Sequence, residues 1–143
     1  MFIQEIETSI KLKNTKNFLN IIKKLSVKDL LLSDHSGLSI IHICVKYDAM
    51  KELLILLDSI PTDNQKEILN QKTKGLCPKT PLQIASESHN DRVTKFLIER
   101  GAEVTKQDIE KMAENFKQNP LFLSYLNELK EVKFKKEKKF WFF

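Results

Sequence analysis

The sequence predicts an all-α fold, a short solenoid of about four helix-turn-helix units. First, apolar residues recur at spacings of three and four within short segments, which is the periodicity of amphipathic helices. Second, these segments occur in pairs of about ten residues each, and such a pair cannot bury its apolar faces without neighbouring pairs. Third, one pair has a sister unit that begins 41 residues upstream, from Ser39 to Thr80, as a stack of similar units requires.

The most regular unit lies at residues 80–102. Thr80 is a typical N-cap, and Pro81 suits the first helical position because its missing N–H would have no partner there. Leu82 and Ala85 form one apolar stripe of this helix. A second helix with its own apolar stripe ends before Gly101, since glycine readily adopts the left-handed conformation that ends helices.

The sister unit lies at residues 34–57. It repeats the turn glycine at Gly37 and the helix start at Ser39, and its second helix carries an apolar stripe at Met50, Leu53, Leu54 and Leu57. The spacing to the next unit leaves room for an insertion. We expect a capping box at Thr62–Gln65 to open an extra helical turn, followed by a lengthened turn at Thr73–Lys79.

Both units resemble the ankyrin repeat, with its D-x-x-G-x-T-P-L-H-x-A line and its closing G-A-D-V. Residues 80–85 and 101–104 follow this pattern closely. Residues 34–44 follow it with Ser39 in place of Thr, Ile40 in place of Pro, Ile41 in place of Leu and Cys44 in place of Ala. The resemblance implies that His42, at the signature histidine, ties neighbouring repeats together by hydrogen bonds. It divides the chain into an N-terminal capping helix pair (1–30), two repeats (31–61 and 62–104, the second with its insertion before the signature), a C-terminal capping pair (105–130) and a tail (131–143).

Charge and cysteine usage exclude several functions. The net charge of +5 lies at the ends: residues 1–30 carry +3, residues 31–129 carry −2 and residues 130–143 carry +4. A basic central face for nucleic acid is therefore not expected. Cys44 and Cys77 lack the spacing of a metal site, and the chain shows neither a secretory leader nor a membrane span. We expect a reduced cytoplasmic monomer without cofactor or metal, and a thiol-dependent enzyme is the least favoured function.

The resemblance implies a non-catalytic protein-protein interaction module, an adaptor or an inhibitor, that binds another protein on its concave face. Members of the family use their finger-like turns and the exposed side of the first helices. Carried over by position, the candidate partner-binding residues are His35, Leu38, Lys46, Tyr47, Lys79, Glu87 and Ser88.

The C-terminal tail allows three interpretations. Its lysines alternate with aromatic residues: Lys135, Lys136, Lys138, Lys139, Phe140, Trp141, Phe142 and Phe143. It could be a disordered end, could pack on the last helix, or could be an interaction signal. As a signal it suits an anionic membrane surface, and it is similar in composition to the C-terminal signals of type IV secreted bacterial effectors, which are delivered into a host cell.

Overall fold

The structure is a computed structural model that describes residues 2–140, with the side chains of residues 2–134. These residues form ten α-helices and one isolated β-bridge, between Ser33 and Ser39. The helices are α1 (Phe2–Lys11), α2 (Thr15–Ile22), α3 (Val27–Leu30), α4 (Ile40–Lys46), α5 (Met50–Asp58), α6 (Thr62–Leu69), α7 (Pro81–Glu87), α8 (Asp91–Glu99), α9 (Lys106–Asn115) and α10 (Pro120–Phe140). The prediction of an all-α fold is confirmed.

The helices form four stacked pairs. Helices α1 and α2, α4 and α5, α7 and α8, and α9 and α10 pack as antiparallel partners, and α1, α4, α7 and α9 lie side by side in one layer. The short helices α3 and α6 each precede a turn that leads into the next pair. Helix α10 continues to Phe140, ten residues beyond the expected end of the C-terminal cap.

One continuous apolar core runs through the stack. It includes the fully buried Phe18 of α2 and Leu82 of α7, which is 2% exposed. The expected stripe of α5 was wrong at one position. Leu54 is 38% exposed, whereas Leu56, which the sequence did not single out, is completely buried with Leu53. Every residue from 53 to 57 is aliphatic, so packing between helices, rather than the local pattern, selects the buried side.

Most helix starts follow the predicted chemistry. The capping boxes at Ser26 and Thr80 are present, with reciprocal hydrogen bonds between each N-cap and the third helical residue. The capping box predicted at Thr62 was wrong. Pro61 occupies the N-cap position, so Thr62 is already helical, and no side chain caps this end.

Three residues adopt left-handed backbone conformations at the same place in successive units. Lys13, Asp48 and His89 have φ values of 56°, 53° and 58°. Each lies in the link between the two helices of a pair, one residue before the N-cap of the second helix. The tight reversal between the paired helices is therefore built in the same way three times.

Candidate protein-binding face

Two turns project from the first-helix layer, and we call them finger 1 (residues 33–39) and finger 2 (residues 71–79). In finger 1 the backbone N–H of Asp34 donates to the carbonyl oxygen of Leu38 at 2.9 Å. The Asp34 side chain accepts the N–H groups of Ser36 and Leu38 at 2.8 and 2.9 Å. An aspartate that bonds to its own turn in this way fixes the loop without help from a partner.

Finger 2 is closed by similar bonds but is longer. The N–H of Thr73 donates to the carbonyl of Lys79 at 2.8 Å, and the N–H of Lys79 donates to the Thr73 hydroxyl at 3.0 Å. The closing bond spans two more residues than the one between Asp34 and Leu38, so the insertion lengthens the finger. It also lengthens the helix before the finger, since α6 has eight residues and its counterpart α3 has four. The expected lengthened turn is therefore a closed loop with a defined base.

The two fingers touch through their backbones. The N–H of Lys74 donates to the carbonyl oxygen of Gly37 at 3.0 Å. Gly37 has a φ of +84°, and a Cβ placed on it would lie 2.2 Å from the Lys74 carbonyl oxygen. Only glycine allows this approach, because it has no Cβ and tolerates the left-handed region.

His42 joins the first repeat to the base of finger 2 by a hydrogen bond. Its ring is fully buried, with Nε2 at 3.1 Å from the carbonyl oxygen of Lys79 and Nδ1 at 2.7 Å from the Ser39 hydroxyl. A carbonyl can only accept, so Nε2 carries the proton and Nδ1 accepts from Ser39. The role implied for the signature histidine is confirmed. Burial lowers the pKa of His42, against the smaller upward effect of its hydrogen bonds to backbone carbonyls.

The lowered pKa of His42 predicts a loss of stability in mild acid. Between pH 7.5 and 5.5 the unfolded state binds a proton that the folded state resists, so the free energy of unfolding falls as the pH drops below the ordinary histidine value near 6.5. We expect a loss of up to about 1.4 kcal/mol per pH unit in urea denaturation. The double variant His35→Gln/His89→Gln should keep this dependence. If His42→Gln keeps it too, another group is responsible.

A groove of about 160 Å³ lies beside finger 2, between α7 and α9. Its floor is apolar and consists of the buried side chains of Leu82 and Met112. The rest of its lining is mostly polar and carries both charges: Pro78, Lys79, Gln83, Ser86, Glu87, Asp108, Lys111 and Asn115. The groove thus combines a small apolar floor with a rim that can form hydrogen bonds and ion pairs.

Neighbouring contacts hold the groove in shape. Lys79 Nζ and Glu87 Oε2 form an ion pair of 2.5 Å across the junction of finger 2 and α7. Hydrogen bonding to Glu87 raises the pKa of the Lys79 ammonium. On the other side, the Asn115 side-chain amide donates to the Ser86 hydroxyl at 2.9 Å and fixes the spacing of α9 from α7. The walls are therefore preformed.

Tyr47, after the end of α4, is the centre of a second cluster. Two lysines lie over its ring, with the Lys11 and Lys46 ammonium groups 5.5 and 5.4 Å from the ring centroid. Its hydroxyl is 3.4 Å from Glu7 Oε1, and Glu7 also pairs with Lys11 at 3.1 Å. The half-buried tyrosine is therefore held in place while part of its surface remains accessible to solvent.

The structure brings some of the predicted partner-binding residues together and separates others. Lys79 and Glu87 meet at the groove, and the exposed Ser88 directly follows α7. His35 is exposed and lines a shallow depression between the two fingers. Leu38 is half-buried and packs against the core. A change at Leu38 would therefore alter folding as well as any surface.

Sequence reasoning missed the contribution of α9 to the groove. Asp108, Lys111 and Asn115 line it, although the sequence predicts only a C-terminal cap for this segment. Their spacing of three and four residues places them on one side of the helix, beside the apolar residues that pack inward. That polar stripe was the signal that could have identified them.

The two cysteines lie in opposite environments. Cys44 is fully buried, and burial, assisted by the Glu52 carboxylate, raises the pKa of its thiol. Cys77 is exposed in finger 2. Within the part of the chain that the structure describes, no group of three or more histidine, cysteine or acidic side chains could hold a metal ion.

The side chains proposed for the tail signal, from Lys135 to Phe143, lie outside the described residues. Only the helical backbone as far as Phe140 is described there. The membrane and effector interpretations of this segment therefore stay predictions. Across residues 2–140, none of the helices has the length and apolar character needed to cross a membrane.

Comparison with known proteins gives one match. A family model described as ankyrin repeats, in three copies, matches residues 10–108, which is more than half of the chain. The match begins near the end of α1 and includes α2 as well as the two units with recognisable signatures. No curated protein and no solved structure matches the chain.

Proposed function

Because the chain belongs to the ankyrin-repeat family, whose members generally bind other proteins, we propose that it is a non-catalytic protein-binding module, an adaptor or an inhibitor. The observation that carries this proposal is the preformed groove between α7 and α9 beside finger 2. A rigid surface binds without the entropic cost of ordering its own side chains and loops. The stacked pairs and the two linked fingers supply that rigidity.

The shape of the groove favours a protein over a small molecule. Its volume of about 160 Å³ is below the roughly 300–1,000 Å³ of typical small-molecule pockets. It can accept one side chain of a partner, while Asp108 and Lys111 offer polar contacts at its rim. A small apolar centre with a polar rim is the usual anatomy of a protein-protein interface.

The cluster around Tyr47 extends the proposed surface along the first-helix layer. Tyrosine is enriched among the residues that carry most of the binding energy at interfaces. Here the contacts with Lys11, Lys46 and Glu7 restrict the ring before any partner arrives. Tyr47 can therefore contribute contact area with little further loss of side-chain entropy.

We expect Tyr47→Ala and Lys111→Ala each to weaken partner binding by more than about 1 kcal/mol, or at least about fivefold in Kd. The partner is first captured from the native cytosol and purified, and its affinity is then measured by titration calorimetry. The matched controls are Lys13→Ala and Lys16→Ala, which change exposed lysines near the start of α2. Equal losses in both sets would reject this surface.

A further inference from the structure

The tip of finger 2 is the most exposed apolar feature among the described residues. Leu76 is fully exposed, and the neighbouring residues from Lys74 to Pro78 are exposed as well. The closing bond from Thr73 to Lys79 encloses two more residues than the corresponding bond of finger 1. Single exposed leucines are common on protein surfaces, so the exposure of Leu76 does not by itself indicate a binding site.

The base of this tip is held in a fixed position. Thr73 and Lys79 are joined by two hydrogen bonds, and the Lys74 N–H is bonded to Gly37 of finger 1. Lys79 is also paired with Glu87 of α7. Leu76 is thus presented from a base that is anchored to two neighbouring elements, and a preorganised loop loses less entropy on binding.

Finger 2 also carries a positive charge. Finger 2 contains three lysines and no acidic residue. Lys79 is neutralised by Glu87, but Lys72 and Lys74 are exposed and form no ion pair within the described part of the chain. Asp34 of finger 1 lines the same shallow depression as Lys74, but its side chain accepts the N–H groups of its own turn and forms no ion pair with this lysine. The tip therefore presents a leucine that follows two lysines, neither of which forms an ion pair with a described residue.

We propose that finger 2 binds an acidic segment of the partner protein, with apolar side chains of that segment packed against Leu76 and its carboxylates paired with Lys72 and Lys74. This inference rests on the proposed function and specifies the chemistry of the partner. Opposite charges across an interface select partners and speed their association. The fully exposed leucine gains from burial only in the complex.

A display library of random dodecapeptides tests the inference on the full chain, with reductant present. We expect the wild-type protein to enrich peptides that combine several Asp or Glu residues with an apolar residue. For one selected peptide, Lys72→Glu/Lys74→Glu should weaken binding about tenfold or more, and Leu76→Ser about fivefold. Raising the salt concentration should weaken wild-type binding as well.

The controls reproduce each change elsewhere on the surface. Lys13→Glu/Lys16→Glu makes the same charge reversal near α2, and Leu121→Ser changes another leucine, 86% exposed, at the start of α10. Both should leave peptide affinity unchanged. Absence of acidic enrichment, or equal affinity for the finger variants, overturns the inference. If selected peptides lose affinity with Lys111→Ala or Tyr47→Ala but not with the finger variants, the inference fails and the proposed function stands.

Discussion

Replacing Gly37 by alanine is expected to lower the free energy of unfolding by about 3 kcal/mol or more. Two effects add. The left-handed backbone at φ +84° strains any residue that has a Cβ, and that Cβ would lie 2.2 Å from the carbonyl oxygen of Lys74. Because the clash is with backbone, no side-chain rotation relieves it, and the fingers would have to separate. Urea denaturation followed by circular dichroism measures the loss.

Gly101→Ala is the matched control for Gly37→Ala. Gly101 also has a positive φ, of +105°, but a Cβ there would meet nothing within 4 Å. The Gly101→Ala variant should therefore lose only the free energy of unfolding that backbone strain accounts for, about 1–2 kcal/mol. The difference between the two variants isolates the contact of the fingers. Equal losses would mean that the fingers are not held together at Gly37.

Leu82→Ala is expected to lower the free energy of unfolding by about 2–5 kcal/mol. Leu82 is 2% exposed, and α7 packs against α4 on one side and α9 on the other. The deletion removes apolar contacts at the centre of the stack, where two interfaces depend on the same helix. In a short solenoid each unit is stabilised by its neighbours, so we expect the whole chain to unfold at a lower urea concentration.

Leu121→Ala provides the comparison, because Leu121 is 86% exposed and its loss should change stability by less than about 0.5 kcal/mol. A loss below about 1 kcal/mol for Leu82→Ala would contradict the register of α7. The far-ultraviolet spectrum should remain helical in both variants at low urea. A native spectrum dominated by strand would contradict the fold itself.

Local chemistry allowed most of the fold to be predicted. Caps such as Ser26 and Thr80 act within one turn of helix, and Gly101 ends a helix by its own conformational freedom, so nearby residues suffice to place them. The same logic failed at Thr62, because Pro61 occupied the cap. At α5, neighbouring aliphatic residues made Leu54 and Leu56 equivalent until packing distinguished them.

The candidate site was less predictable, since it depends on contacts between distant residues. Tyr47 was identified from its position, but its bond to Glu7 joins residues 40 apart in sequence. Lys79 and Glu87 were chosen separately, and only the folded junction of finger 2 with α7 shows that they neutralise one another. The contribution of α9 to the groove required the arrangement of two whole helices.

The contrast between the two thiols has a practical consequence for labelling. Maleimides react with accessible thiolates, and Cys44 is shielded by burial and by its raised pKa, whereas Cys77 is exposed in finger 2. A fluorescent maleimide would therefore attach to the native chain at one position, without any cysteine being removed. The dye would lie next to Leu76 and would report, through its emission or polarisation, when something approaches this finger.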